Sequence, residues 1–150
     1  MTQNYKSFGE VIDMFGDACN KHLAINTFSY GPLDKLDASF QNVQYPYIFL
    51  RPMSSLGLQN NVRQLSFEMY STDVPKLTES DYRGVMSDTE QYIYDIVSYF
   101  SYGTEQQDLF IDIQNITPVN EAFNDRVYGW VSTIVFNEVG VFDYCAFPQI

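Results

Sequence analysis

The sequence predicts an α+β fold: a largely antiparallel, twisted β-sheet with two amphipathic helices packed on one face. Three observations lead there. Two stretches repeat apolar residues at spacings of three and four, which makes one helical face. Five others alternate, or run continuously, in β-branched and aromatic residues, as strands do. Strands outweigh helices, and two such helices need one sheet face to cover.

The first helix begins at Ser7-Phe8-Gly9-Glu10, a capping box in which the serine accepts from the amide three residues on and the glutamate reaches back. Phe8, Val11, Ile12, Phe15, Cys19, His22 and Leu23 form its apolar stripe. Residues 26–44 carry Gly31-Pro32 and scattered polar side chains and read as a long connection, with a helical turn at 33–36. Y-P-Y-I-F-L-R at 45–51 is a strand with proline near its entrance, which favours a sheet edge or a strand start. Residues 52–61 read as a polar loop. Leu65, Phe67 and Met69 then alternate with Gln64, Ser66 and Glu68 as a half-buried strand. A second loop is expected over 72–86. Ser87-Asp88-Thr89-Glu90 is another capping box, followed by Ile93, Ile96, Val97 and Phe100 on one face of a second helix that Tyr102-Gly103 stops. The last third holds three strands, at 108–116, 126–136 and 140–147, with a break at Asn137-Glu138. No repeat or linker divides the chain, so residues 1–150 form one domain.

Composition narrows the function. Hydrophobic residues make up 45%, enough for a core without disulfides or metals. Cys19 and Cys145 form no disulfide framework and are expected as reduced thiols in a cytosol. The N-terminus lacks the basic segment and apolar run of a signal peptide, and no run of about 18 apolar residues exists to span a membrane. With 19 Asp and Glu against 8 Lys and Arg, the net charge is −11. The cations are scattered, which disfavours gripping nucleic acid by charge neutralisation. DNA sliding past without sticking suits this sign, as does plain solubility. Aromatic residues reach 17%, with 12 Tyr, 12 Phe and 1 Trp, and tyrosine suits surfaces that are half apolar and half wet.

Chemistry is weakly signalled. Cys19-Asn20-Lys21-His22 has the spacing of half a metal site, but a structural zinc needs four ligands and the chain has no second histidine. Both residues also lie on the apolar stripe, where packing explains them. A nucleophile–base pair would have to join a cysteine to His22, with no supporting motif around it. Asp73, Glu79, Asp81 and Asp88 lack the alternation and glycine turn of a calcium loop and read as solvated. Asp95, Asp112 and Asp143 converge on a site only if the fold brings them together. No catalytic, cofactor or metal residue is therefore assigned. In the 126–136 strand, Tyr128, Trp130, Ser132 and Ile134 alternate with Val127, Gly129, Val131, Thr133 and Val135, so both faces are largely apolar. Such a strand is either central and covered twice or covered by a neighbouring subunit. Tyr128, Trp130, Phe142 and Tyr144 are accordingly expected at a subunit contact.

The order of pieces resembles the tail-terminator (tail-completion) proteins of tailed bacteriophages and the related small neck proteins of head–tail junctions. An amphipathic helix leads to the strand Y-P-Y-I-F-L-R and then to V-R-Q-L-S-F-E-M-Y. A second helix, S-D-T-E-Q-Y-I-Y-D-I-V-S-Y-F, precedes the closing hairpin N-D-R-V-Y-G-W-V-S-T-I-V-F-N-E-V-G-V-F-D-Y. The resemblance implies an α+β subunit of a ring, commonly a hexamer, around the DNA channel. Tail-tube and neck or portal-side proteins would be its partners, and the virion tail its location after synthesis in the host cytoplasm. It carries over no catalytic residues. The loops at 52–61 and 72–86 would be where the ring meets its axial neighbours. A different class, a small cytosolic α+β binding module or enzyme with convergent acids, is separated from this one by the size of the assembly.

Overall fold

The computed structural model describes residues 7–32, 34–35, 44–58, 62–74, 79–102, 109–119 and 127–139. Helix α1 spans Phe8–Lys21, followed by strands β1 (Thr27–Tyr30), β2 (Tyr47–Leu58) and β3 (Val62–Asp73). Helix α2 spans Glu79–Tyr102, and strands β4 (Leu109–Val119) and β5 (Tyr128–Val139) complete the described chain. The five strands form one sheet in the order β1-β2-β3-β5-β4, parallel only between β1 and β2. The fold is α+β.

Helix α1 starts as its sequence predicts. The Glu10 amide donates to Ser7 Oγ at 3.2 Å, and the Ser7 amide donates to Glu10 Oε1 at 3.3 Å. The helix ends at His22, whose extended backbone breaks the spiral while its amide still reaches the Ala18 carbonyl. Val11, Ile12, Phe15, Ala18 and Cys19 are buried, whereas Leu23, beyond the helix, is fully exposed.

The second helix begins about two turns earlier than its capping box suggests. Ser87 lies inside α2, and the Thr89 hydroxyl, instead of serving a helix start, donates to the Val85 carbonyl at 2.6 Å. That back-bond satisfies a buried hydroxyl within the helix.

Both expected loops are corrected as well. Residues 52–58 continue β2, carried by ladder pairing with β3, and a bulge between Pro52 and Ser54 accommodates the proline. Residues 72 and 73 end β3, and 79–86 are helical; the remaining loop positions 59–61 and 75–78 lie outside the described residues. The connection expected over 26–44 contains β1, whose four residues are too few to announce a period. The break expected at Asn137-Glu138 is also absent, because Glu138 pairs across the ladder with Arg63 and its carboxylate meets that guanidinium at 2.5 Å. The strand expected at 140–147, with Phe142 and Tyr144, lies outside the described residues.

Register assigns the faces. Ile48 and Leu50 of β2, Leu65, Phe67 and Met69 of β3, and Ile134 and Phe136 of β5 share the side that meets both helices. Four buried rings join the layers there. Phe15 of α1 lies 4.8 Å from Phe100 of α2, 5.6 Å from Phe67 and 5.3 Å from Phe136. These centroid distances suit the tilted and edge-on arrangements that aromatic pairs prefer. The other face carries a second buried cluster of Tyr47, Phe49, Tyr70, Val119 and Val127. Strand β5 is thus central, between β3 and β4, and Ile134, Val135 and Phe136 are all buried within the single chain.

Candidate functional site

Three places concentrate side chains that sequence or geometry marks for a role: the aromatic start of β5, the polar seam between the helices, and the outer half of β2. Tyr128 and Trp130 lie on the helix side of β5, opposite Asp73 and Ser71 of β3. Tyr82, one turn before Met86 on α2, meets Tyr128 edge-on at 4.9 Å. The Trp130 indole N–H donates to the Met86 carbonyl at 2.8 Å. The two rings therefore hold the first turns of α2 to the sheet, each remaining part-exposed. Phe142 and Tyr144, expected beside them, lie outside the described residues.

The seam between α1 and α2 is polar at its open end. Tyr99 donates to Asp17 Oδ2 at 2.6 Å, and Lys21 lies 3.1 Å from the same carboxylate oxygen. The Tyr99 hydrogen bond, followed by that of Lys21, holds the Asp17 carboxyl below its ordinary 3.8. The hydrogen bond to Asp17, then that to Tyr99, raises the Lys21 ammonium.

One turn on, His22 Nε2 lies 2.8 Å from Asp95 Oδ2, and the Ala24 amide donates to His22 Nδ1 at 3.1 Å. An acceptor role at Nδ1 leaves Nε2 as the nitrogen whose hydrogen faces Asp95. Gln91 donates to the other Asp95 oxygen at 2.9 Å, and Tyr92 packs edge-on against the imidazole at 5.2 Å. The residue that caps the end of α1 thus supplies Asp95 with a partner from the other helix.

An Asp–His pair has the form of a general base and its orienting group, and needs a nucleophile within reach to do acyl chemistry. The cysteine one turn before His22 does not supply one. Burial pushes the Cys19 thiol up to about 12, so it stays protonated and unreactive near neutrality. Among the described residues the acids do not gather either. Asp95 sits on α2, Asp112 is exposed on β4 with its register placing it on the sheet face away from the helices, and Asp143 lies outside the described residues. Asp73 accepts from the Val74 amide at 2.7 Å, and Asp88 is exposed. Among the described residues no group of three or more His, Cys, Asp or Glu side chains could hold a metal ion, and no helix is long and apolar enough to cross a membrane.

The outer half of β2 was missed by sequence reasoning, which read S-S-L-G-L as a loop. Met53 and Leu56 are 48% and 51% exposed there, with Ser54, Ser55 and Gly57 exposed between and beyond them. The absence of any charge between Arg51 and Arg63 was the available signal.

No protein family and no curated protein matches this sequence. Among solved structures, one match is the histidine kinase domain from the Erythrobacter litoralis EL346 blue-light activated histidine kinase. It is 10% identical, with 89% of this chain and 62% of that chain covered and a TM-score of 0.23. A likeness that slight carries no argument about fold or activity.

Proposed function

We propose that this chain is a structural virion protein, a subunit of a ring of six that terminates or connects a bacteriophage tail at the neck. The observation that carries the reading is the sheet itself. Among its four strands of 11 or 12 residues, β2 is exposed and uncharged at Met53, Ser54, Ser55, Leu56 and Gly57, where no described strand flanks its outer side. Exposed edge of this kind is a template for pairing with another chain. The described order keeps the helix, strand pair, helix and strand on which the tail-terminator resemblance rests, with β1 added after the first helix and the second strand of the closing hairpin outside the described residues. The net charge of −11 suits a lumen through which DNA passes without adhering. The His22–Asp95 and Tyr99–Asp17 contacts act as fasteners between helices. Tail-tube and neck or portal-side proteins are the partners in this reading.

Light scattering coupled to size exclusion tests it. The expected mass is near six times 17.4 kDa, with rings in negative stain that cap purified tail tubes. A chain that stays at 17.4 kDa at every concentration and leaves tail tubes uncapped would sink the proposal.

A further inference from the structure

We propose that copies of this chain join by strand addition, the outer half of β2 in one copy pairing antiparallel with the first half of β4 in the next. The inference rests on the ring reading above and names the contact that would build the ring.

Strand β1 covers only the first part of β2, pairing with Tyr47–Leu50. Its last main-chain link to β2 is the Gly31 amide donating to the Leu50 carbonyl at 3.1 Å. Gly31 has φ +146°, a backbone state that suits glycine and turns the chain off the sheet. Beyond that point no described strand flanks β2 on its outer side, although β2 runs on to Leu58. Five residues, 54–58, remain in regular register with β3 after the bulge, about 17 Å of ladder at roughly 3.4 Å per residue. Natural edges are usually blunted by charge, proline or a bulge. This stretch has none of them past Ser54, in a chain whose net charge is −11.

The opposite edge of the sheet is β4, and it is divided. Residues 109–113 pair regularly with β5, a bulge falls between Ile113 and Ile116, and Pro118 beyond it has no amide to donate. The regular part is again five residues long. It also lies at the same end of the sheet as the open part of β2. Leu58 pairs with Val62, Val62 with Val139, and the neighbouring Glu138 with Leu109. The two segments, flanked on their outer sides by no described strand, are therefore the two rims of one four-stranded strip.

Strand direction decides how such rims can meet. Across β2, β3, β5 and β4 every pairing is antiparallel, so β2 and β4 run in opposite senses. A second copy in the same orientation brings its β4 alongside β2 in antiparallel sense, and the sheet continues without reversal. A contact between two different surfaces propagates from copy to copy, and closes into a ring if its rotation allows. The charge count permits it, since Asp112 is the only charged residue in the two five-residue segments.

The test uses two exposed positions on the two rims. In a Cys145→Ser background, where Cys19 is buried, Leu56→Cys and Asp112→Cys chains are prepared separately. Circular dichroism first establishes that each is folded. The two are then mixed and treated with a short bismaleimide, while light scattering follows the assembly of the untreated mixture. The expected result is a cross-link joining the two variants as the dominant product, with several-fold less from either variant alone. A dominant Leu56→Cys self-cross-link would mean two-fold β2–β2 pairing and would overturn the proposal. An assembled ring with no cross-link between the two positions would also overturn it, while leaving the ring reading standing. A mixture that scatters as monomers would remove the ring reading, and this contact with it.

Discussion

Replacing Phe15 by alanine tests whether one ring ties both helices to the sheet. Phe15 is wholly buried and meets three other rings, Phe67, Phe100 and Phe136, at centroid distances of 5.6, 4.8 and 5.3 Å. Truncating a buried phenylalanine to alanine costs about 3–5 kcal/mol. The lost edge contacts, worth ~0.5–1.5 kcal/mol each and not additive, place this site in the upper half of that range. A domain of this size is stable by roughly 5–15 kcal/mol, so the variant loses about a third of that or more. The assay is urea unfolding followed by circular dichroism and by fluorescence of Trp130, the single tryptophan, whose indole is bonded to α2 in the folded chain. Phe15→Leu keeps most of the volume but also loses the ring contacts, so it is expected to cost less than Phe15→Ala without being neutral. Phe8→Ala, at a 40% exposed ring stacked on Phe67 at 6.1 Å, removes far less buried surface and serves as control. A loss below about 1 kcal/mol for Phe15→Ala, with an unchanged urea slope, would refute the four-ring core.

Three further outcomes follow from specific contacts. Gly129→Ala places a Cβ 2.9 Å from Thr72 Cα and nearer still to the Ser71 carbonyl oxygen, so thermal unfolding should show a loss of at least about 1–3 kcal/mol; Gly84→Ala, with open space around it on α2, should gain ~0.5–1 kcal/mol. Cys19, in a Cys145→Ser background, should react with a thiol reagent only after unfolding; because its folded value near 12 exceeds the ordinary 9.0, the thiol's contribution is complete below 9.0 and lost as pH rises toward 12, which urea titrations of wild type and Cys19→Ala across that window resolve. Tyr99→Phe removes the largest cause of the low Asp17 value, so the Asp17 titration followed by NMR should move up toward 3.8; in the wild type this carboxylate favours the fold above 3.8, and that contribution disappears as pH falls through its lower folded value.

What sequence revealed and what it hid divide along the range of the forces involved. The α1 capping box was legible because its partners are three residues apart. The faces of β3 were legible because Leu65, Phe67 and Met69 alternate against polar neighbours. The start of α2 was not. Its opening turns are held by Tyr82 on Tyr128 and by the Met86 carbonyl on Trp130, partners more than 40 positions away, while Ser87–Glu90 offered a plausible local start. Strand β1 is too short to show a period, and 52–58 has weak strand composition, so both depend on ladder partners. The His22–Asp95 contact joins residues 73 positions apart, and no local pattern announces it.

The aromatic excess shows how a correct observation of composition can leave two structural explanations open. Both faces of β5 are apolar, which suits a strand covered twice or one that meets a neighbouring subunit. Its central place in the sheet and the burial of Ile134, Val135 and Phe136 account for its inner half within one chain. Trp130 and Tyr128, at the outer half, are engaged with α2 but stay part-exposed. The Trp130 indole already has its acceptor, so a neighbour reaching this place would meet ring surface rather than an unsatisfied donor. The outer half of β2 differs in kind, because a strand edge presents main-chain groups that depend little on side-chain identity. Residues as unremarkable as Ser54, Ser55 and Gly57 can therefore direct assembly while giving no sign of it in composition.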